Sequence, residues 1–188
     1  QGVALESIKT RGRHKNGSWR VLDTIGTSLI HEPAIQGIVL NIRDITEREL
    51  AEEALRASEA QFRAIFEGAG IGIALVDPSG HPVKENSVYQ EMLGLDAQEL
   101  RSIVFTDFTH PEDAMKDWNL WQEQIAGLRN SYQIEKRIIH KSGRIIWVRL
   151  TSSTVPDSDG AALFGVRMLE NITERKKAEA ERKYQLAE

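Results

Sequence analysis

The sequence repeats itself over a third of its reach. "HKNGSWRVLDTIGTSLIHEPAIQGIVLNIRDITER" begins at His14, and "HKSGRIIWVRLTSSTVPDSDGAALFGVRMLENITER" begins at His140. The His-Lys-x-Gly openings, at 14 and 140, are offset by 126 residues. The Ile-Thr-Glu-Arg endings, at 45 and 172, are offset by 127, so the second copy has one extra residue in its middle turn. A repeat at this period means tandem domains rather than a solenoid. Each copy reads as three strands. Gly17 and Gly143 mark tight turns between the first and second, flanked by β-branched and aromatic residues. "HEPAIQG" and "PDSDGAA" form the second connections, and the third strands, "IVLNIRDI" and "LFGVRMLENI", run without a loop into charged helices.

The second copy has material upstream that the first lacks. "IGIALVD" predicts a strand, "DPSG" a turn and "HPVKE" a short strand; Asn86 N-caps a helix over "SVYQEML" that Gly94 stops. "DAQELRS" predicts another short helix, and "THPEDAMKDWNLWQEQIAG" the longest helix of the core. The complete domain reads β-β-α-α-α-β-β-β. The expected layout is three strands over 1–45, a connecting helix over 46–66, the complete domain over 67–172 and an exit helix over 173–188. The fold class is α+β.

Composition bounds the function. A net charge of −4 with scattered basic residues gives no footprint for nucleic acid or an anionic membrane. No apolar run approaches the ~18 residues that span a bilayer. With no cysteine at all, disulfides, thiolate nucleophiles and thiol-linked cofactors are excluded, and a cytoplasmic location is expected. The chain opens on "QGVALESIK" without an initiator Met, as a piece of a longer polypeptide would. No Ser/His/Asp arrangement, P-loop, Rossmann glycine pattern or phosphoacceptor-His segment is present, so no catalytic residue is expected. His14, His31, His81, His110 and His140 show no ligand spacing, so no metal site is expected.

"FRAIFEGAGIGIALVDPSGHPVKEN", "YQEMLGLDAQEL", "FTHPEDAMKDW", "YQIEKRIIHKSGRIIWVRLTSSTVPDSDG" and "NITER" each resemble, in order, a segment of the PAS family, whose C-terminal strands are often called PAC. The resemblance covers nearly the whole chain: the C-terminal half of one PAS domain, a helix, a whole PAS domain and an exit helix. It implies a five-stranded antiparallel sheet with helices on one face, and a sensory role within bacterial histidine kinases or cyclic-dinucleotide enzymes. It also implies a covalently linked output domain and a cavity that can take a small molecule. The family's signalling joint is carried here by Asp44, Ile45 and Thr46, and again by Asn171, Ile172 and Thr173. Arg101 and Ser102 stand where the family usually has Gly.

The joints have their own chemistry. Thr46 with Glu49 spells a capping box, and Glu47 suits the positive end of the helix dipole; at the second joint Lys176 replaces the reciprocal Glu. The connecting helix carries Leu50, Ala54, Ala57, Gln61 and Ala64 on one stripe, and Ala51, Leu55, Ser58, Phe62 and Ile65 on the next. It is too polar for an autonomous coiled coil but suited to pairing in a homodimer supported by the flanking domains. Phe62, Ile65 and Phe66 are expected to cover the second domain's sheet. The incomplete first copy is expected to expose an apolar face and a strand edge, which favours dimerisation.

Within the complete domain, Ile146, Val148, Leu150, Ser152 and Thr154 share one face of a strand. Trp118 and Trp121, three residues apart on a helix, can stack a ring system. Trp118, Trp121, Val148, Leu150 and Ser152 are therefore the candidate ligand pocket. The preferred reading of the two Trp is structural, one in the core and one facing a partner. No cofactor is expected, and non-covalent flavin or haem is the alternative. His110 would be the haem ligand, but "THPE" reads as a capping box that leaves it at a helix start.

Overall fold

The computed structural model describes residues 3–4, 6–157, 160 and 162–185 and falls into two units, Gln1–Phe62 and Arg63–Glu188. Residues 158, 159 and 161 of the second middle turn, and 186–188 of the expected exit helix, lie outside the described residues.

In the first unit, β2 (Ile8–Arg13), β3 (Trp19–Leu29) and β4 (Gly37–Asp44) form an antiparallel meander. Gly17 turns the first hairpin at φ 90°, as Gly143 does at φ 83° in the second unit, a backbone that favours glycine. The two-residue β1 (Val3–Ala4) pairs with Ser28 and Thr27 of β3 on the edge that β2 also uses, since β4 occupies the other. Alternation puts Ile8, Leu22, Leu40 and Ile42 on one face and Lys9, Val21, Asp23 and Arg43 on the other. Ile8, Ile38, Leu40 and Ile42 are each more than half exposed, so the expected bare apolar face is present.

α1 (Thr46–Gly68) follows β4 with Ile45 alone between them. Only Phe66 is buried in this helix; Ile65 is 65% exposed, against the expectation that it covers the second sheet with Phe66. Asn86 holds the buried end. Its side-chain N–H group donates to the carbonyls of Phe66 and Ile71 (2.8 and 3.0 Å), while its oxygen accepts from Ile73 N–H and Tyr89 N–H (2.9 and 3.0 Å). The predicted N-cap thus also fastens the end of α1 to the next strand.

The second unit is a five-stranded antiparallel sheet in the order β6-β5-β9-β8-β7. Its strands are β5 (Gly72–Val76), β6 (Pro82–Glu85), β7 (Ser131–Ile139), β8 (Ile145–Pro156) and β9 (Ala162–Asn171). Between β6 and β7 lie α2 (Ser87–Leu93), α3 (Ala97–Arg101) and α4 (Pro111–Ile125). The core joins Ala74, Val76, Val148, Leu150 and Leu169 of the sheet to Tyr89, Leu93, Leu100, Phe105, Phe108 and Trp121. α2 has its Asn86 cap and stops at Gly94, which is left-handed. α3 ends without glycine because Ser102 keeps a negative φ and its hydroxyl bonds the Glu99 carbonyl.

The "THPE" capping box does not form. Thr109 is buried, its hydroxyl donating to the Phe105 carbonyl and accepting from Lys136. His110 is itself the N-cap, accepting from Glu112 N–H with Pro111 following in the first turn.

Candidate functional site: two strand-to-helix joints and a charged core

The two joints have one architecture. At the first, Ile45 N–H donates to the Val21 carbonyl (2.9 Å) and Val21 N–H donates to the Thr46 hydroxyl oxygen (2.8 Å). At the second, Ile172 N–H donates to the Trp147 carbonyl (2.8 Å) and Trp147 N–H donates to the Thr173 hydroxyl oxygen (3.1 Å). The threonine thus closes the last rung of the sheet with its side chain while starting the helix. Asp44 accepts from both the backbone N–H and the hydroxyl of Thr46 (3.0 and 2.5 Å), and that hydroxyl bond holds its carboxyl below the usual carboxylate range. Asn171 accepts from Thr173 N–H (3.0 Å). Asp44 also lies 3.5 Å from Arg20; the equivalent of Arg20 in the second copy is Ile146, so that ion pair has no counterpart at the neutral Asn171.

The expected Thr46–Glu49 capping box is not what starts α1. Thr46 is committed to Val21, and the Glu49 carboxylate reaches across to Lys9 (2.6 Å). A strand N–H at the end of a sheet has no other partner, so it outcompetes the helix's own cap.

The start of α5 (Thr173–Gln185) is held by charge as well. Glu135 of β7 meets Arg175 (2.5 Å) and Lys176 (2.6 Å), and these bonds hold its carboxyl at about 2. Lys176 Nζ and the Arg137 guanidinium lie 5.0 and 5.4 Å from the Trp147 ring centroid, within cation–π range. Sequence reading missed Val21, Trp147 and Glu135, because each matters through a strand neighbour and not through its own motif.

The interior of the second unit holds a charged cluster that the sequence reading also missed. Asp117, in the middle of α4, accepts from Lys136 Nζ (2.6 Å), Arg167 Nη2 (2.7 and 2.6 Å) and the Tyr132 hydroxyl (2.9 Å). All three charged residues are at most 1% exposed. Burial alone would raise the Asp117 carboxyl, but the two cations outweigh it and hold it at about 2. Burial pushes the Lys136 ammonium down to about 8, with Asp117 opposing and Arg167 adding to the fall. The Arg167 guanidinium lies 3.7 Å from the Phe105 ring centroid, and its Nη1 makes no hydrogen bond among the described residues. The aromatic face stands in for an acceptor. A period-2 reading of "YQIEKRII" and "FGVRMLE" would have placed Lys136 and Arg167 on the buried face. In the first copy their equivalents are Thr10 and Leu40, so the cluster belongs to the second unit alone.

This cluster decides what the candidate pocket residues do. Val148, Leu150, Ser152 and Trp121 are all at 0% exposure. Ser152 donates to Gln124 (2.7 Å), and Trp121 donates to the Pro78 carbonyl (3.3 Å). A Cβ at Gly165 would come 2.3 Å from the Trp121 ring, so this ring lies directly on the β9 backbone with no room for a stacked ligand between them. Trp118 is half-buried against Phe105, 5.7 Å between centroids. It packs on the core beside Phe105. Thr154 sits at the rim. Four of the five candidates are thus fully buried and engaged with neighbouring protein groups, and Trp118 is half-buried beside them. Among the described residues no cluster of His, Asp and Glu is arranged to hold a metal ion, and no helix is long and apolar enough to cross a membrane.

Residues 83–166 match the family described as PAS fold. A probable diguanylate cyclase of Escherichia coli is 36% identical over 122 residues, 65% of this chain and 11% of that protein. The sensor histidine kinase TmoS of Ectopseudomonas mendocina is 25% identical over 130 residues, 67% of this chain and 13% of that protein. The chain thus spans little more than a tenth of these relatives. A PAS-domain crystal structure from Colwellia psychrerythraea superposes with a TM-score of 0.56 at 16% identity, covering 61% of this chain and 97% of that one. Residues 83–166 belong to the PAS family, and the five-stranded unit that contains them has the PAS fold.

Proposed function

We propose that the chain is a cytoplasmic sensory and dimerisation segment of a larger bacterial signalling protein, passing conformational bias from sheet to helix at 44–46 and again at 171–173. The observation that carries this reading is the pair of strand-to-threonine bonds, Val21 to Thr46 and Trp147 to Thr173, which join two sheets to two helices in the same way. A helix tied to the last rung of a sheet must respond when that rung shifts. The relatives' signalling activities support an output domain outside this chain, a kinase or a cyclic-dinucleotide enzyme, with no catalysis within it.

The helix that links the units presents Leu50, Leu55, Phe62 and Ile65, each at least half exposed. This supports pairing of two copies along α1, with the apolar face of the first sheet contributing. Light scattering should give a dimer that weakens when residues 1–43 are removed; a monodisperse monomer overturns the pairing. The close seat of the Trp121 ring on Gly165 favours a domain without flavin or haem, and the purified protein should be colourless; a flavin or haem spectrum near unit occupancy overturns that. The transmission itself is tested by Glu52→Pro in the full-length protein, which breaks α1 at a local cost of about 3 kcal/mol. Output regulation should be lost while the second unit's melting stays unchanged. Regulation that survives a broken α1 refutes the proposal.

A further inference from the structure

Comparison of the two joints shows a reversal of charge. On the outer face of the first sheet, Lys9, Asp23 and Arg43 are successive partners across β2, β3 and β4. Their equivalents, Glu135, Arg149 and Glu170, are successive partners across β7, β8 and β9. The signs run plus, minus, plus in the first row and minus, plus, minus in the second. The residue at the fourth helical position is reversed too: Lys9 pairs with Glu49 at 2.6 Å, and Glu135 pairs with Lys176 at 2.6 Å; Glu135 also meets Arg175 at 2.5 Å, whose sign is not reversed. The second row is closed by Arg149 to Glu170 at 3.2 Å.

The neighbours are not reversed. Glu47 and Glu174 keep their sign, and so do Arg48 and Arg175 and, on the sheet, Arg11 and Arg137. Within each helix the same i,i+4 pair recurs, Arg48 to Glu52 and Arg175 to Glu179. Drift in surface charge would not invert four mutually facing positions and spare those around them, because each single inversion sets like charges side by side.

We propose that each sheet recognises its own exit helix by the sign of this row, the first taking an acidic residue at the fourth helical position and the second a basic one. A chain with two such joints, and a dimer with four, holds helix starts of nearly identical sequence: "ITERE" and "ITERK". Ile45 alone joins β4 to α1 and Ile172 alone joins β9 to α5, so a helix changes sheets only together with its last strand; without a polarity code such a strand-and-helix exchange would rebuild the same threonine bond. With it, a swapped helix meets a like charge, which is specificity by repulsion. The inference stands on the two geometries and holds whether or not either joint carries a signal.

The test is Lys176→Glu in two backgrounds, read by the exchange rate of the Trp147 amide proton, the strand group bonded to Thr173. One background is the natural second row. The other carries Glu135→Lys, Arg149→Asp and Glu170→Arg, the polarity of the first row; Arg175 then keeps Glu179, as Arg48 keeps Glu52. Lys176→Glu also favours the helix dipole, but that effect is the same in both backgrounds and cancels in the comparison. Exchange should quicken about fivefold in the natural row, as expected for lost exposed pairs, and slow in the reversed row. If the triple variant does not fold, Glu135→Gln serves as the second background, and the quickening should then shrink toward none. An equal change in both backgrounds overturns the proposal.

Discussion

Asp117→Asn gives the sharpest energetic test of the charged core. The carboxylate faces two buried cations, Lys136 and Arg167, so its removal leaves both without a counter-charge. Breaking a buried ionic cluster in this way costs about 3–5 kcal/mol. Proton linkage gives a lower figure. With the folded carboxyl at about 2 against an ordinary 3.8, the difference corresponds to about 2 kcal/mol. This stability is present above the ordinary value and is lost as pH falls through 4 toward 2. Lys136→Met is the contrast. It removes the surplus cation and leaves Asp117 with Arg167 and Tyr132, so its cost at pH 7 should be within about 1 kcal/mol. Because the folded Lys136 ammonium sits at about 8 and not 10.5, the unfolded chain holds the extra proton between those values, so the wild type should gain stability as pH rises through that window. Lys136→Met should not. Urea unfolding across pH, followed by tryptophan fluorescence, reads all of this. If Asp117→Asn lies within about 1 kcal/mol of wild type and keeps the wild-type acid dependence, the cluster does not hold the core.

Two further changes probe the packing around the joints. Asn86→Ala removes a helix cap and the bonds from a buried amide to Phe66, Ile71 and Ile73; it should cost roughly 3 kcal/mol in urea unfolding and speed amide exchange at the end of α1. Gly165→Ala drives a methyl into the Trp121 ring and should cost about 1–3 kcal/mol by the same assay; a neutral result means that the ring has room to move, and with it room for a ligand.

The strand-turn-strand grammar of the repeat was legible because Gly17 and Gly143 permit their turns and because period 2 sorts each strand into faces. The helix caps at Asn86 and Gly94 were legible for the same local reasons. The joints were half legible. Thr46 and Thr173 stood out as helix starts, but a capping box and a strand clamp use the same hydroxyl, and only the sheet's unpaired N–H decides between them. The interior was legible only in part, because Ser152 and Trp121 were weighed by their own chemistry. The charged cluster of Asp117, Lys136 and Arg167, whose guanidinium lies 5.5 Å from the Trp121 ring, comes from two strands and a helix far apart in sequence. No window of local pattern contains all three. The charge-reversed rows lay in plain view in the repeat, yet they acquire meaning only when strand register sets Lys9 beside Asp23 and Glu135 beside Arg149.

The central claim is that a side-chain hydroxyl couples the sheet of the PAS unit to the helix that leaves it. The chain has no cysteine, so spin labels at Ser131→Cys and Glu181→Cys report one distance, from the sheet to α5, by pulsed electron paramagnetic resonance. With Thr173 intact the distribution should be single and narrow. Thr173→Val keeps the shape of the side chain but removes the acceptor for Trp147 N–H, and it should broaden the distribution or add a second distance. A narrow distribution unchanged by Thr173→Val would contradict the account.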